Sequence, residues 1–368
     1  MSTIADIIRI MDDIAPQRLA EAWDNVGLHY GDPGWPVSTV FVSLDPTLKA
    51  VESAAAAGAN LLITHHPLIF KPVSRLNVKT PVGAVIDLAA RKQIAVFCAH
   101  TNLDSVTGGI NDVLAEKIGM SVTGPLSSIP EEQQYKLVVF TPPANADRMM
   151  NALFANASVK SFGNDNHCAF YNEGTGQFVS DRNGEAGTDR MTRNGEIRIE
   201  FSVGRNELDA VVNIMKNSHE GMATYDIYPL FQARSGNGLG RIGEFARTRT
   251  LLELAGDIKQ SLSLKMVKYA GPEDLQIRTA AVCSGGGSGM TGDFLTSKAQ
   301  VFISGDLNHH AAIDIAASGR GLIDIGHFSS EQIIVSTLCS RIRAEAEKLK
   351  MPVSVIPWTG EPDPFSYI

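Results

Sequence analysis

The stretch LLITHHPLIF, residues 61–70, places two adjacent histidines directly after an apolar run with the length of a buried strand. Neighbouring side chains on a strand point to opposite faces of its sheet. A single histidine at the end of a strand could be there simply because its side chain packs against its neighbours. The pair His65 and His66, followed by Pro67, instead indicates a strand that ends in a functional site.

Apolar runs and amphipathic stretches alternate on both sides of this segment. Strands are predicted at 38–46 and 94–104, and helices at 47–59 and 80–93. The same alternation returns with a helix at 249–262 and continues to the end of the sequence. Continuous apolar strands that alternate with helices predict a mostly parallel sheet covered on both faces. Functional sites in such sheets lie at the carboxyl ends of the strands.

The element order changes in the middle of the chain. Residues 127–232 follow the order βαββαβ of the ferredoxin-like split unit, with 168–179 predicted as a hairpin region. The flanking stretches 123–134 and 231–238 are polar and contain Gly, Ser or Pro, as linkers do. The fold class is therefore α/β, with a discontinuous body, residues 1–126 plus 233–368, and an inserted ferredoxin-like domain, residues 127–232.

Composition narrows the class of protein. The 368 residues carry a net charge of −8, and their Lys and Arg residues form no run, so no nucleic-acid partner is predicted. The apolar stretches are too short to span a bilayer, and the start of the sequence lacks a signal-peptide pattern. The cysteines form no CxxC motif and are predicted to be reduced thiols of a cytoplasmic protein: Cys98, Cys168, Cys283 and Cys339.

Three clusters of imidazoles and carboxylates follow predicted strands. The pair at 65–66 is the first, CAHTNLDS (98–105) the second and DIGHFSSEQ (324–332) the third. In the third cluster the i, i+4 spacing puts both ligating side chains on one helix face. Nitrogen and oxygen donors without a thiol suit Zn, Fe or Mn. The predicted metal ligands, with His100 as a sixth candidate, are His65, His66, Asp104, His327 and Glu331. Five ligands exceed one tetrahedral ion and suit two divalent ions per chain if a carboxylate bridges them.

Each cluster also has a structural interpretation. His65 and His66 fit satisfied polar residues at the end of a strand. His327 and Glu331 fit the solvated start of a helix, where Glu favours the helix dipole. Asp104 fits a turn or an N-cap. Asp306 and His310, in SGDLNHH (304–310), either approach the same site or cap a helix. The glycines of CSGGGSG (283–289) are interpreted as tight-turn residues, and His167 and His219, in the insert, as structural residues.

The sequence resembles the Nif3-like family, also called the GTP cyclohydrolase 1 type 2 homologue family, in its long form with a PII/CutA-like insert. Beyond the clusters above, the matching segments are EAWDNVGLHYGDP (21–33), HTNLDSVTGGIND (100–112), GLGRIGE (238–244) and SGDLNHHAA (304–312). The insert matches less closely. NASVKSFGNDNHC (156–168) stands in place of a Gly-rich stretch, and HEGMATYD (219–226) in place of a His-Pro-Tyr-Glu motif.

The resemblance implies a two-metal site on the same five ligands, with Glu331 bridging the ions. It places His100 beside the site, as a supporting group or a proton shuttle. Trp23, Asp24 and Asn25 match a family signature and are expected to shape the pocket or support the fold, not to be catalytic. It also implies a toroidal homohexamer whose metal sites face an internal cavity. The function expected from it is a metal-dependent hydrolase of a nucleotide, GTP cyclohydrolase type 2-like, or of a phosphoester. The alternative is a non-enzymatic metal-binding or ligand-sensing regulatory protein.

Overall fold

A computed structural model of the chain describes residues 2–129, 133–155, 169–180, 190–218, 224–231 and 236–366. The chain divides into two compact units, one formed by Met1–Ile129 with Ser235–Ile368 and the other by Pro130–Arg234. The structural roles expected for His167 and His219, and the reduced state expected for Cys168, concern positions outside the described residues.

The first segment of the larger unit alternates strands with helices. Threonine side chains begin two of the helices, because Thr47 and Thr80 each accept a hydrogen bond from the backbone N–H three residues on. The elements are α1 Ile4–Ile14, β1 Gly27–Tyr30, β2 Thr39–Ser43, α2 Leu48–Ala56, β3 Leu61–Thr64, α3 Pro81–Lys92, β4 Ala95–Cys98, α4 Thr101–Ser105, α5 Ile110–Lys117, β5 Met120–Gly124 and β6 Ser127–Ser128.

The smaller unit has the element order βαββαβ. Its elements are β7 Gln134–Thr141, α6 Pro143–Phe154, β8 Ala169–Ser180, β9 Arg190–Gly204, α7 Leu208–Ser218 and β10 Thr224–Pro229. The sheet order is β10–β7–β9–β8, and every pair is antiparallel. The predicted hairpin region is instead the single strand β8, which pairs with β9 along its whole length.

The chain then returns to the larger unit. The remaining elements are β11 Gly238–Leu239, β12 Arg241–Thr250, α8 Leu251–Ser261, β13 Lys268–Ala270, β14 Gln276–Gly286, α9 Thr291–Thr296, β15 Val301–Gly305, α10 His309–Ala317, β16 Gly321–Asp324, α11 His327–Glu331, α12 Ile333–Lys348 and β17 Ser354–Pro357. None of the helices within the described ranges is both long and apolar enough to cross a membrane.

The larger unit contains two major sheets, where the sequence predicted one mostly parallel sheet. The five-stranded sheet has the order β1–β4–β3–β2–β17, and the six-stranded sheet has the order β13–β16–β15–β14–β12–β5. Each has a parallel centre, β4–β3–β2–β17 in the first and β14–β15–β16 in the second. The other strands pair antiparallel: β1 at one edge of the first sheet, and β13, β12 and β5 in the second. The second edge of the first sheet is the parallel strand β17. Hydrophobic periodicity identifies strands but not their partners, which is why the second sheet was not separated from the first.

Helices cover both faces of the five-stranded sheet, which explains its continuous apolar runs. Leu61 and Ile63 of β3 pack in one hydrophobic cluster with α1 and α12, while Leu62 packs on the opposite face with α2 and α3. The faces of the parallel strands are therefore filled with apolar side chains. Polar groups can gather only where those strands end.

Arg241 joins the two segments of the larger unit. Its side chain is 1% exposed and pairs with Asp112 at 2.8 Å. Its remaining N–H groups donate to backbone carbonyls on both sides of the insert: Ser105 and Val106 before it, Gly238 and Gly240 after it. A buried guanidinium is stable only when its donors are satisfied in this way. The GLGRIGE motif therefore links the two segments of the larger unit to each other next to α4.

Candidate metal centre

The carboxyl ends of both parallel centres supply the imidazoles of a single cluster. His65 and His66 follow β3, His100 follows β4, and His327 follows β16 of the other sheet. The Nε2 atoms of His66 and His327 lie 3.3 Å apart. Two groups of side chains present ligand atoms close enough for a metal ion: His65, His66 and His100, and His66, His327 and Glu331.

His65 is buried, and its orientation is fixed by the backbone. Its Nδ1 donates to the carbonyl oxygen of Ala99 at 3.0 Å. Because a carbonyl oxygen only accepts, Nε2 of the neutral ring presents a lone pair to the cluster. That Nε2 lies 3.5 Å from Oε1 of Glu331 and 3.6 Å from Oδ1 of Asp104. Asp104 lies on α4, so the structure brings this predicted ligand to His65.

The other three imidazoles are held by carboxylates. Nδ1 of His66 lies 2.8 Å from Asp45, which follows β2. Nδ1 of His327 lies 2.8 Å from Asp306, which follows β15, and Nδ1 of His100 lies 2.9 Å from Asp24. A carboxylate on one ring nitrogen fixes the ring and makes the other nitrogen a better ligand. All four Nε2 atoms therefore remain available to the centre.

Glu331 lies at the middle of the cluster, 3% exposed at the end of α11. Its Oε2 lies 2.9 Å from Nε2 of His66 and 3.0 Å from Nε2 of His327, while Oε1 is the oxygen nearer His65. Burial raises the pKa of this carboxyl, but the surrounding imidazoles outweigh burial and hold its pKa well below the usual range. Glu331 is therefore a carboxylate with its two oxygens directed to different imidazoles.

Three buried atoms of the cluster lack a hydrogen-bond partner: Nε2 of His65, Oδ1 of Asp104 and Oε2 of Glu331. In the neutral rings of His66 and His327, Nδ1 donates to Asp45 and Asp306, so Nε2 has no hydrogen to donate to Oε2 despite the short distances. Unsatisfied buried polar atoms are rare in native proteins, and a bound ion is one of the partners that can satisfy them. These nitrogen and oxygen donors fit a divalent cation.

The electrostatics also favour a cation. Burial lowers the pKa of His66, but the Asp45 and Glu331 carboxylates outweigh it and raise that pKa to about 10. The pKa of His327 is raised to about 9, chiefly by its interaction with Glu331. Asp104 lies deep enough for burial to raise its pKa. Positive charge at the centre is therefore stabilised, whether protons or a metal ion supplies it.

Gly285, at the end of β14, leaves room for the Glu331 carboxylate. A Cβ at this position would lie 2.2 Å from Oε1, and the backbone has a φ of +65°, which favours glycine. The residue's N–H donates to Oγ of Ser330 at 2.8 Å. The glycine-rich stretch CSGGGSG is thus partly explained by the close approach of Glu331, a reason the sequence did not reveal.

Replacing Gly285 by alanine is expected to weaken metal binding by about tenfold or more, because the methyl group displaces Oε1 of the candidate ligand Glu331. The positive φ adds a stability cost of about 1 kcal/mol or more. Gly286→Ala is the matched control, since its Cβ meets nothing within 4 Å. Metal titration and thermal unfolding of both variants measure the two effects. Equal metal affinities for the two variants would refute this role of Gly285.

Asp306 and His310, the other two residues that the sequence offered for this site, differ in whether they reach the cluster. Asp306 reaches the cluster through His327, whereas His310 is exposed and lies beside His309, with ring centroids 5.7 Å apart. The helix that follows is capped by Asn308, not by either of them. Sequence reasoning missed Asp45 as the partner of His66. The only available signal was a carboxylate directly after an apolar strand.

The residues expected around the pocket lie next to His100. Asp24 accepts hydrogen bonds from the backbone N–H and the hydroxyl of Thr101 as well as from His100. Trp23 is 59% exposed, with its ring centroid 6.3 Å from that of His100. The side chain of Asn25 donates to the carbonyl of Ile69 at 2.6 Å. Asp24 thus fixes the ring of His100, and Asn25 holds the loop that follows β3.

A cluster of imidazoles and carboxylates between the ends of two parallel sheet centres defines an α/β protein with a candidate metal site. The family model of Duf34/NIF3 (NGG1p interacting factor 3) matches residues 2–364. The chain therefore belongs to the Duf34/NIF3 family, which confirms the resemblance inferred from its motifs.

Relatives match along nearly the whole chain. The GTP cyclohydrolase 1 type 2 homolog of Halalkalibacterium halodurans is 31% identical, over 98% of each sequence. The crystal structure of a Bacillus cereus protein related to NIF3 is 32% identical and superposes with a TM-score of 0.78, covering 100% of this chain and 99% of the other. A Staphylococcus aureus protein, 30% identical with the same coverage, superposes with a TM-score of 0.82.

Proposed function

We propose that this protein is a metal-dependent hydrolase that holds two divalent ions, with Zn, Fe and Mn as the candidates, on His65, His66, Asp104, His327 and Glu331. The observation that carries the proposal is the position of Glu331. One of its oxygens is directed to His65 and the other to His66 and His327. A carboxylate in that position suits two ions, because each oxygen can face a different set of ligands.

Divalent ions bound there would polarise a substrate bond and make a water molecule reactive near neutral pH. The chain's own residues have supporting roles. Asp45 and Asp306 orient the rings of His66 and His327, and Asp104 and Glu331 offset positive charge. His100 is held by Asp24 with its Nε2 toward the cluster, where it can transfer a proton to or from a reacting group.

The substrate class is proposed from the family. Relatives carry the name GTP cyclohydrolase 1 type 2 homolog, which favours a nucleotide, with a phosphoester as the second class. Purified protein stripped with a chelator and reloaded with Zn, Mn or Fe is expected to bind up to two ions and to hydrolyse a member of a nucleotide and phosphoester panel.

Asp104→Ala is expected to abolish that activity. His310→Ala, a nearby exposed histidine outside the cluster, should keep it and serves as the control. Failure to take up any of the three metals would refute the metal site. Metal uptake without turnover of any substrate would instead support the alternative, a non-enzymatic metal-binding or ligand-sensing protein.

We further propose that the smaller unit, Pro130–Arg234, is the inserted ferredoxin-like, PII/CutA-like domain predicted at 127–232, and that the chain assembles into a homohexamer. The βαββαβ order and the separate hydrophobic core of the smaller unit support the first proposal. Light scattering should give six times the 39.5 kDa mass of the chain. A variant in which a short Gly/Ser linker replaces the insert should stay folded and bind metal. A monomeric full chain, or an insoluble variant, would contradict the respective proposal.

A further inference from the structure

The turn after β2 carries Asp45, the carboxylate that orients His66. Oδ1 of Asp45 lies 2.8 Å from Nδ1 of His66, although the side chain of Asp45 is 39% exposed. Burial alone does not fix a side chain that is exposed to this extent. The backbone of the turn must therefore be held in place if the carboxylate is to keep its position beside the ring.

One side of this turn is bound to the histidine pair. The carbonyl oxygen of Leu44 accepts from the backbone N–H of His65 at 3.1 Å and from that of His66 at 3.0 Å. These bonds continue the pairing of β2 with β3 beyond its last partners, Ser43 and Thr64. A displacement of the turn would therefore also displace the backbone of two candidate metal ligands.

The other side of the turn is held by the segment that follows β17. The N–H of Trp358, one residue beyond the end of β17, donates to the carbonyl oxygen of Val42 at 2.8 Å. Both carboxylate oxygens of Glu361 then accept from the turn. Oε2 accepts from the N–H of Leu44 at 2.7 Å, and Oε1 from the N–H of Asp45 at 2.9 Å. Leu44 is 1% exposed, so water cannot readily replace this acceptor.

Two bonds to one carboxylate fix the orientation of the turn as well as its position, because a rotation of the turn would break one of them. Hydrogen bonds to an ionised acceptor are also stronger than those between neutral groups. Glu361 thus stands at one end of a series of contacts that leads through Asp45 to the imidazole of His66. No motif of the sequence pointed to Glu361, because 316 positions separate it from Asp45.

We propose that Glu361 is a positioning residue of the metal centre, which fixes the turn after β2 and, through Asp45, the ring of His66. The inference rests on the metal site of the proposed function, because His66 is taken to be a ligand, but it does not require hydrolysis. The contacts of Glu361 are with the backbone of the turn, so its effect on metal binding passes through Asp45.

The affinity for Zn, measured by competition with a chromophoric chelator, tests the proposal. Glu361→Ala is expected to weaken Zn binding about three- to tenfold, less than the loss of about 10–100-fold for a carboxylate that touches a ligand directly. Glu361→Gln keeps one acceptor oxygen but turns an NH₂ group toward a backbone N–H, so it should weaken Zn binding as well. It also shows the effect if Glu361→Ala does not fold.

Asp363→Asn is the matched control, because it removes the same charge two residues further on. Its carboxylate accepts from the N–H of Phe365, within its own segment, so Zn affinity should stay close to that of the wild type. The absorption spectrum of bound Co²⁺ reports the arrangement of the ligands. It should shift in Glu361→Ala and remain unchanged in Asp363→Asn.

The double variant Glu361→Ala with Asp45→Asn separates positioning from general destabilisation. If Glu361 acts through Asp45, the double variant should bind Zn about as weakly as Asp45→Asn alone, because residues in one series of contacts are not additive. Losses of affinity that multiply would overturn the proposal. So would a Zn affinity of Glu361→Ala equal to that of the wild type or of Asp363→Asn.

The positioning role and the proposed hydrolase can fail separately. Wild-type protein that binds no metal refutes the metal site and, with it, the role of Glu361. Zn binding without turnover of any substrate refutes the hydrolase alone. Turnover by the wild type, combined with an unchanged Zn affinity in Glu361→Ala, refutes the positioning role alone.

Discussion

Replacing Glu331 by glutamine is expected to remove at least one of the two proposed ions and to lower metal affinity more than any other single change. The amide has no negative charge, so two divalent ions a few ångströms apart would repel each other without compensation. Its NH₂ group would also place donors among imidazole nitrogens that lie 2.9 and 3.0 Å from Oε2 in the native protein. Elemental analysis after metal loading gives the occupancy.

Asp45→Asn provides the matched comparison for Glu331→Gln. Asp45 touches His66 but is not a proposed ligand, and loss of such a supporting carboxylate typically costs about 10–100-fold in metal affinity. The loss of metal affinity in Glu331→Gln should exceed that range. It should also be larger than the loss of metal affinity in His66→Ala or His327→Ala. If Glu331→Gln retains both ions, the carboxylate does not bridge them, and separate ligand sets must hold each ion.

Replacing His100 by alanine is expected to lower the rate of the proposed hydrolysis by about 10²–10⁴-fold while metal occupancy persists. The ring is held through Nδ1 by Asp24, and its centroid lies 5.2 Å from that of His65. This position suits a residue that moves a proton beside the ions. Metal content and turnover should be measured on the same preparations as those of the Glu331 variant.

Asp24→Asn is the control for the His100 experiment. It leaves the imidazole in place but weakens the contact that orients it, so its rate should fall less than that of His100→Ala. Loss of metal from His100→Ala as complete as from Glu331→Gln would make His100 a ligand. His100 presents a ligand atom close to those of His65 and His66. A role of His100 as a metal ligand is therefore the main alternative to its role as a proton shuttle.

Much of the larger unit could be predicted because its strands and helices are indicated by short stretches of sequence. Apolar runs such as 61–64 are β-strands, and His65 and His66 follow that strand at its carboxyl end. Parallel strands gather their carboxyl ends at one edge of a sheet, which explains why His65, His66 and His100 meet. His327 joins them from the other sheet, and that contact was not predictable from periodicity. The i, i+4 spacing of His327 and Glu331 was likewise informative, because α11 presents both side chains to the cluster.

The features that were not predicted depend on contacts between residues far apart in the sequence, which local sequence patterns do not reveal. Asp45 orients His66 only because β2 and β3 are neighbours, and Asp306 reaches His327 only because β15 lies beside β16. The positive φ and the crowding at Gly285 follow from the position of Glu331. Residues 169–180 alternate as a strand would, but their partner β9 was not identifiable from that pattern.

Strand β17 pairs in parallel with β2, with Ser354 beside Thr39 and Pro357 beside Val42. During biosynthesis β17 leaves the ribosome only after the insert and the whole six-stranded sheet have been made. Until then the edge of β2 is open, and open sheet edges are sites of mispairing with other chains. His327 and Glu331 also emerge late. A nascent chain therefore passes most of its synthesis with an incomplete five-stranded sheet and without the full set of candidate metal ligands.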